Sequence, residues 1–146
     1  MIDLSIVVVT WNTRDLVLDC LASIEAEVSG QGGSAGVVAE TCVVDNASTD
    51  GTQEAIRRRF PWVQVVSLPR NVGFAVGSNA GLRSLRGRHA LLLNSDARLE
   101  RGVLAHCVGK PEWIDAPEFK TFADRLVHRD RITQELDAVL QGATTE

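Results

Sequence analysis

The sequence of 146 residues predicts an α/β fold: a doubly wound, mostly parallel sheet with the strand order 3-2-1-4, followed by a helical C-terminal tail. Two observations lead to this prediction. As far as residue 100, apolar segments typical of strands alternate with segments of helical periodicity, which implies right-handed crossovers between parallel strands. Polar clusters also occur where apolar segments or turns end, within residues 43–52, 70–82 and 91–97, and parallel strands bring such clusters to one crevice.

The first strand is predicted over residues 4–9, a nearly continuous β-branched run that suits a strand covered on both faces. Asn12 or Thr13 can then cap a helix over residues 14–28, where apolar residues recur at helical spacing. The connection at 29–36 is rich in Gly and Ser and follows a helix rather than a strand. It is therefore interpreted as a flexible linker and not as a phosphate-binding loop.

A second strand is predicted over residues 39–44, directly before Asp45. The helix that follows covers residues 52–59 in this prediction, and either Ser48 or Asp50 begins it.

The second half of the predicted sheet contains a third strand over 63–68 and a fourth over 89–93. Between them, residues 74–86 are interpreted as a helix despite Gly77 and Gly81. Glycines inside a helix suggest that another backbone or side chain approaches closely on that side.

The alternation ends near residue 100, which separates a predicted α/β domain at 1–100 from a tail at 101–146. Residues 118–141 have the composition of a charged amphipathic helix pair and contain no evident strand. We expect this tail to lay its apolar face over the sheet or over a partner, and it carries no functional prediction.

The formal net charge of −4 argues against a nucleic-acid partner, because proteins that bind phosphate backbones usually have a basic face. The one basic run, Arg57–Arg59, is interpreted as the end of the second helix. Cations there offset the helix dipole by roughly 0.3–1 kcal/mol each.

Three cysteines, Cys20, Cys42 and Cys107, are odd in number and widely spaced, which predicts reduced thiols packed as small hydrophobic side chains. Reduced thiols favour a cytoplasmic localisation. The longest apolar runs are far shorter than the ~20 residues of a membrane span, so we expect no transmembrane segment. A peripheral association with a membrane stays compatible with the sequence.

Asp45 and Asp96 form the centre of the predicted site. A carboxylate at a strand end can accept the imide N–H of uracil or thymine in a confined pocket, and Asp45 fits that role. The alternative is structural: Asp45, Asn46, Ser48 and Asp50 make Asx turns and a helix cap.

Asp96 follows the fourth strand and is the candidate metal ligand. One carboxylate, two diphosphate oxygens and waters suffice for an octahedral Mg²⁺ or Mn²⁺ ion. Such an ion would neutralise a diphosphate leaving group as its bond to a sugar breaks. The alternative is that Asp96 only belongs to a turn.

Four segments follow one another along residues 4–100: SIVVVTWN, VDNASTDGT, RNVGFAVGSNAGL and LLLNSDA. In their order and spacing, these residues resemble the N-terminal nucleotide-binding half of family 2 glycosyltransferases, which have the Rossmann-like GT-A fold, and within them the rhamnosyltransferase-like branch. Any one of the four segments would be a weak signal, whereas the combination is highly specific.

The resemblance implies a UDP- or dTDP-sugar donor. It assigns Asp45 to the base, and Thr10 and Asn12 to the base or ribose pocket. It also implies that three further residues lie near the ribose and the diphosphate: Asn71, Gly73 and Asn79.

By the same resemblance, Asp96 corresponds to the last acid of the family's D-x-D-type metal motif. Asn94 stands where many members have Asp. Because Asn is a neutral oxygen donor, we expect a lower metal affinity and a metal more dependent on the nucleotide.

The family continues with acceptor-binding segments and, in inverting members, with an acid that acts as general base on the acceptor hydroxyl. Nothing after residue 100 matches that pattern. Asp115, Glu118 and Asp124 are available acids, but surface or cap positions are expected for them, so no general base is assigned.

The leading functional hypothesis is a truncated or divergent family 2 glycosyltransferase domain of cell-wall or polysaccharide biosynthesis, with a saccharide or lipid-linked acceptor. Its acceptor half is then absent or supplied by a partner chain. The alternative is a catalytically silent nucleotide-sugar-binding module or subunit. A dinucleotide-binding oxidoreductase is disfavoured because Trp11, Asn12 and Thr13 stand where G-x-G-x-x-G would follow the first strand.

Overall fold

The computed structural model describes residues 1–29 and 36–109. Most of the predicted tail, including the acids Asp115, Glu118 and Asp124, lies outside these residues, as does most of the predicted linker. Within the described residues the chain forms, in order, β1 (Leu4–Thr10), α1 (Arg14–Val28), β2 (Ala39–Asp45), α2 (Thr52–Arg59), β3 (Gln64–Ser67), α3 (Phe74–Leu82), β4 (His89–Asn94) and α4 (Val103–Cys107).

The four strands form one sheet in the order β3-β2-β1-β4, and each of the three pairings is parallel. This confirms the predicted sheet and its strand order. The register aligns the strand ends, because Asp45 lies beside both Thr10 and Ser67, and Asn94 lies beside Val9. Polar residues that are distant in sequence therefore meet along the carboxyl edge of the sheet.

Helices cover the sheet on both faces, as a doubly wound fold requires. Ile6 and Val8 of β1 pack on the face that α1, α2 and α4 cover, whereas Val7 packs on the face beneath α3. Leu104 and Ala105 of α4 are buried in the first of these cores. The predicted domain boundary at residue 100 stays a prediction.

The two glycines of α3 allow the close approach that the sequence indicates. A Cβ atom added at Gly77 would lie 3.0 Å from Cγ1 of Val9, and one added at Gly81 would lie 2.7 Å from Cγ1 of Val7. Since real Cβ atoms essentially never come closer than 3.0 Å to other heavy atoms, any side chain at Gly81 would force α3 away from β1.

The α3 helix ends at Leu82 and not at residue 86, so the predicted C-terminus of this helix is wrong. Beyond Leu82 the backbone tightens into turns, in which the N–H groups of Ser84 and Leu85 bond to the carbonyls three residues earlier. The Ser84 hydroxyl also donates to the carbonyl of Gly81, at 3.2 Å. This side-chain bond competes with continuation of the helix.

The basic run Arg57–Arg59 forms the last turn of α2, which confirms its interpretation as a helix end. The Arg59 guanidinium also lies 5.2 Å from the centroid of the Phe60 ring, a cation–π distance.

All three cysteines are free thiols. Cys20 and Cys42 are buried as predicted, and burial raises the pKa of Cys20 to about 12 and that of Cys42 to about 11. Cys107, at the end of α4, is exposed, so the prediction of a packed side chain is wrong for this thiol. Among the described residues, no helix combines the length and apolar character that a membrane span needs.

Candidate functional site

The site begins with Asp45, the last residue of β2, whose side chain is fully buried. Its Oδ2 accepts hydrogen bonds from the backbone N–H of Ser48 at 3.2 Å and from Nε2 of Gln53 at 2.6 Å. Its Oδ1 has no hydrogen-bond partner among the described residues. A buried carboxylate oxygen without a partner is uncommon and is consistent with a place for a ligand donor.

Gln53, on α2, connects Asp45 to the neighbouring strand. The hydroxyl of Ser67, the last residue of β3, donates to Oε1 of Gln53 at 2.7 Å. The chain of hydrogen bonds therefore runs from Ser67 through Gln53 to Asp45 and joins β3, α2 and β2. Neither Gln53 nor Ser67 has a predicted role from the sequence.

Asn46 holds the loop that contains Asn71 and Gly73. It is buried, its Oδ1 accepts the N–H of Val72 at 2.8 Å, and its Nδ2 donates to Oδ1 of Asn71 at 2.9 Å and to the carbonyl of Gly73 at 3.3 Å. Oδ1 of Asn71 also accepts the N–H of Gly73 at 2.9 Å. The structure thus brings Asn71 and Gly73 beside the end of β2.

The backbone of Gly73 has φ +81° and ψ 172°, a region open almost only to glycine. This residue immediately precedes α3. The requirement for glycine explains why the loop residue that Asn46 contacts carries no side chain.

Asn12 joins the loop after β1 to the loop after β2. Its Oδ1 accepts the N–H of Thr49 at 2.8 Å, and its own N–H donates to the Ser48 hydroxyl at 2.9 Å. Asn12 and Ala47 have left-handed backbones, with φ values of 51° and 67°. For Ala47 this conformation costs roughly 1–2 kcal/mol, which the surrounding contacts must offset.

Asp50 bonds to two of the helices that leave this edge, α1 and α2. Its Oδ2 accepts the N–H of Arg14 at 3.0 Å, and its Oδ1 accepts the N–H of Thr52 at 3.2 Å. The N-cap of α2 is Gly51, so the prediction that Ser48 or Asp50 begins this helix is wrong, although the Asp50 carboxylate accepts from the first N–H of the helix. Although partial desolvation alone would raise the pKa of Asp50, bonds from the Thr52 hydroxyl and from backbone N–H groups lower it below its usual value.

The predicted capping of α1 by Asn12 or Thr13 is wrong. Thr13 occupies the N-cap position, but its side chain makes no capping bond. The Asn12 side chain is instead engaged with Thr49, and the Thr13 hydroxyl bonds to Thr10 and Ser95. Asp50 supplies the capping oxygen from outside the helix.

A chain of hydroxyls connects the ends of β1 and β4. The oxygens of Thr10 and Thr13 are 2.8 Å apart, and the Thr13 hydroxyl donates to Ser95 at 3.2 Å. Thr10 is buried. The structure therefore places Thr10 between the two predicted halves of the site, where its hydroxyl supports the loop after β1.

Asn94 and Asp96 lie at the end of β4, and both are exposed. The carbonyl of Asn94 accepts the N–H of Ala97 at 3.0 Å, which closes a turn around Asp96. Burial raises the pKa of Cys20 on α1, and the negative charge of Asp96 raises it further. The Asp96 carboxylate itself forms no hydrogen bond or ion pair with the described residues.

An exposed carboxylate beside an exposed amide fits a hard cation that a ligand helps to hold. Within residues 1–29 and 36–109, no three His, Cys, Asp or Glu side chains cluster closely enough to hold an ion by themselves. A metal bound at Asp96 would therefore need oxygens from the nucleotide or from water.

Asn79 and Trp11 lie outside these hydrogen-bond networks. Asn79 is exposed on α3, and no hydrogen bond in the described part of the chain joins it to Asn46, Asn71 or Gly73. The Trp11 side chain is 54% exposed, directly after β1. Trp11 has no predicted role from the sequence, although a large aromatic ring beside a strand-end cluster is a recognisable signal for base stacking.

Residues 5–117 match the family model described as glycosyl transferase family 2. The chain belongs to this family. The match includes every residue of the candidate site, from Thr10 to Asp96. It confirms the family resemblance from which roles were assigned to these residues.

Two curated relatives of this glycosyltransferase domain act in polysaccharide biosynthesis according to their names. The succinoglycan biosynthesis protein ExoO of Rhizobium meliloti is 33% identical over 95 residues, which are 64% of this chain and 25% of ExoO. The putative teichuronic acid biosynthesis glycosyltransferase TuaG of Bacillus subtilis is 28% identical over 103 residues, 68% of this chain and 38% of TuaG. The chain thus spans well under half the length of either relative.

Solved structures have the same fold. TarS 1-349 of S. aureus in complex with UDP-GlcNAc superposes with a TM-score of 0.63 at 23% identity, over 76% of this chain and 31% of TarS. The mannosyltransferase PcManGT from Pyrobaculum calidifontis, in complex with GDP-Man and Mn²⁺, superposes with a TM-score of 0.61 at 30% identity, over 78% and 32%. The likeness to TarS supports the GT-A-like fold alone.

Proposed function

We propose that this domain binds the nucleoside-diphosphate sugar of a family 2 glycosyltransferase, a UDP- or dTDP-sugar, together with Mg²⁺ or Mn²⁺. The sugar is then transferred to a saccharide or lipid-linked acceptor in the synthesis of a cell-wall or other polysaccharide. The observation that carries the proposal is the buried Oδ1 of Asp45, which lacks a partner among the described residues.

Asp45 reads the base in this proposal. The N3–H of uracil or thymine would give Oδ1 its missing hydrogen bond. Since that oxygen is closed to solvent, the atoms that cover it must shift when a base enters. Trp11 offers an exposed ring on which a base can stack.

Guanine presents an N1–H donor of the same kind, and PcManGT was solved with GDP-Man. An acceptor oxygen alone does not separate guanine from uracil and thymine, so the shape of the pocket must do so. Cytosine and adenine lack such a ring N–H and should bind poorly.

The diphosphate lies, in this proposal, between the loop at residues 70–73 and the end of β4. Asn94 and Asp96 would hold the metal ion, which neutralises the diphosphate as it leaves the sugar. Asn71, Gly73 and Asn79 are assigned to the ribose and diphosphate. The buried Asn46 keeps two of these, Asn71 and Gly73, in place.

Isothermal titration calorimetry of the 146-residue chain with UDP, dTDP, GDP, CDP and ADP tests this assignment. UDP or dTDP should bind more tightly than CDP and ADP, and EDTA should weaken the binding. A UDP analogue methylated at N3 is the matched control, since it lacks only the imide N–H. Equal affinity for UDP and ADP would contradict the role of Asp45.

A catalytically silent nucleotide-sugar-binding module is the second candidate. One observation favours it. The acids near the strand ends already have other roles in this account: Asp45 binds the base, Asp50 bonds to two helices and Asp96 holds the metal ion. None of them is therefore assigned as general base. An assay that follows released nucleotide and new glycoside separately, with UDP- and dTDP-sugars, Mn²⁺ and a panel of acceptors, distinguishes the two candidates. Acceptor-dependent transfer would exclude the silent module.

The acceptor half is expected from another polypeptide or from further chain, because the relatives are much longer than the region they share with this domain. We also propose a cytoplasmic setting, which the free thiols support. An association with the membrane surface would bring the site to lipid-linked acceptors.

A further inference from the structure

We infer that Gln53, backed by Ser67, determines which bases the site accepts, because it keeps Asp45 a hydrogen-bond acceptor toward the ligand. Gln53 is thus a positioning residue that selects bases with a ring N–H, such as uracil, over cytosine. The inference rests on the proposed function and adds a residue that no sequence motif pointed to.

The orientation of the Gln53 amide follows from Asp45, since the Ser67 hydroxyl can pair with either end of the amide. Nε2 lies 2.6 Å from Oδ2 of Asp45, and Oε1 lies 2.7 Å from the Ser67 hydroxyl. If the amide were flipped, two oxygens would meet at 2.6 Å beside Asp45, which is repulsive. Gln53 therefore donates to Asp45.

The same contacts define the chemistry of each Asp45 oxygen. Oδ2 already accepts from Gln53 and from the N–H of Ser48. Because both of these donors bond to Oδ2, Oδ1 is the oxygen left for a ligand, and a carboxylate oxygen accepts hydrogen bonds. N3–H of uracil satisfies Oδ1, whereas the unprotonated N3 of cytosine would repel it.

The arrangement is anchored in secondary structure. Ser67 and Asp45 are partners in the register of β3 and β2, and Gln53 lies in the first turn of α2 between those strands in sequence. The position of the Gln53 amide is thus fixed by three elements of the fold. A mobile loop would orient the carboxylate less well.

Two substitutions at Asp45 and Gln53 test the inference by reversing and restoring the pattern of donors. In Asp45→Asn, the new amide oxygen should accept from Gln53 and Ser48, so the new NH₂ group takes the position of Oδ1. UDP binding should then weaken by more than about tenfold, and CDP should bind more tightly than UDP. Calorimetry in Mn²⁺ measures both ligands.

Adding Gln53→Glu to Asp45→Asn should return the preference to UDP. The new carboxylate accepts from the new amide, whose oxygen then faces the ligand. The recovery should be partial, because the Ser48 N–H would now face the NH₂ group. A residue with only a structural role would not restore selectivity in this way.

Single substitutions at the two supporting residues complete the series. Gln53→Leu should lower the ratio of UDP to CDP affinity about tenfold, as expected for the loss of one charge-assisted hydrogen bond. Ser67→Ala, at an exposed position with little risk to folding, should lower it about threefold because the Gln53 amide then loses the hydrogen bond that holds it beside Asp45. The control is Glu54→Leu, at the next residue of α2, whose side chain is exposed. It should leave the ratio of UDP to CDP affinity unchanged.

The inference is overturned if Gln53→Leu and Ser67→Ala keep the wild-type ratio, or if the double variant still prefers CDP. If the wild type nevertheless binds UDP and discriminates against N3-methyl-UDP, the proposed function stands and only the role of Gln53 is lost. A wild-type chain that binds none of UDP, dTDP or GDP with Mn²⁺ overturns the proposed function, and with it this inference.

Discussion

The ends of β2 and β4 lie on the same edge of the sheet but are built in opposite ways. At the end of β2, Asp45 and Asn46 are 0% and 3% exposed, and side chains or backbone from α2 and the loop at 70–73 bond to them. At the end of β4, Asn94 and Asp96 are exposed, and the Asp96 carboxylate has no partner among the described residues.

This difference separates two kinds of recognition. Around β2, hydrogen bonds order the polar side chains when the protein folds, so in the proposed function a base would require a shift of the atoms that cover Oδ1 of Asp45 and little other ordering. At β4 the exposed oxygens form no complete coordination shell, so the proposed ion would take its other ligands from the nucleotide and water. Substitutions at β2 should therefore affect both folding and binding, whereas those at β4 should affect metal-dependent binding alone.

Asn46→Ala should have the largest effect on stability. It removes the hydrogen bonds to the loop at 70–73 and leaves buried polar groups unsatisfied, so the free energy of unfolding should fall by about 2–3 kcal/mol. Urea denaturation followed by circular dichroism measures it. Asn79→Ala, the same substitution at an exposed site, should change stability by no more than about 0.5 kcal/mol. Equal effects of the two would show that the buried hydrogen bonds of Asn46 do not stabilise the end of β2.

Asp96→Ala should abolish the Mn²⁺ dependence of UDP binding while the melting temperature stays at the wild-type value. We expect about a tenfold loss of affinity in Mn²⁺, equivalent to about 1.4 kcal/mol, and none in EDTA. Glu100→Ala, which removes an exposed acid nearby, serves as the control. A large drop in the melting temperature of Asp96→Ala would favour the structural role in the turn.

Asn94→Asp should tighten Mn²⁺ binding in the presence of UDP, by about threefold, because a charged oxygen replaces a neutral one. Titration of Mn²⁺ into the UDP complex measures the change. Gln64→Glu adds the same charge at the other end of the sheet and should have no effect. Weaker binding by Asn94→Asp would show that the amide is not beside the ion.

The smallest effect concerns the pH dependence of stability through Asp50. Its pKa is lowered in the folded protein, so its contribution is present above the ordinary value of 3.8 and is lost as the pH falls through the folded pKa. The difference in melting temperature between the wild type and Asp50→Asn should therefore be constant from pH 7 to about 5 and should shrink below the ordinary pKa of 3.8. A difference that grows in acid would contradict this assignment.

The sequence predicts correctly those structural features whose signal lies within one continuous segment. Strand β1 is a continuous apolar run, and Gly77 and Gly81 indicate close approach by themselves, so both were predicted correctly. The ends of elements depend on competing bonds: Ser84 ends α3 early, and Asp50 caps α1 from a loop distant in sequence.

Within the site, the four family segments located the strand ends, and the structure brings Asp45, Asn71 and Gly73 together. The links between them could not be predicted. Asn46 directly follows Asp45 and was assigned only to a turn, while its contacts reach residues 71–73. The contact of Gln53 with Ser67 depends on how α2 lies over β3, and no periodicity in the sequence encodes that.

In this account Asp45 reads the ring N–H of the base while Gln53 and Ser67 position it, and all three fall within residues 39–67, one uninterrupted β-α-β unit. The preference for bases with a ring N–H could therefore change in evolution, or be exchanged between homologues, by replacing a single stretch of chain. Asn94 and Asp96 lie beyond this stretch on another strand. If the proposed assignments hold, recognition of the base and the protein's own metal ligands could vary independently in this domain.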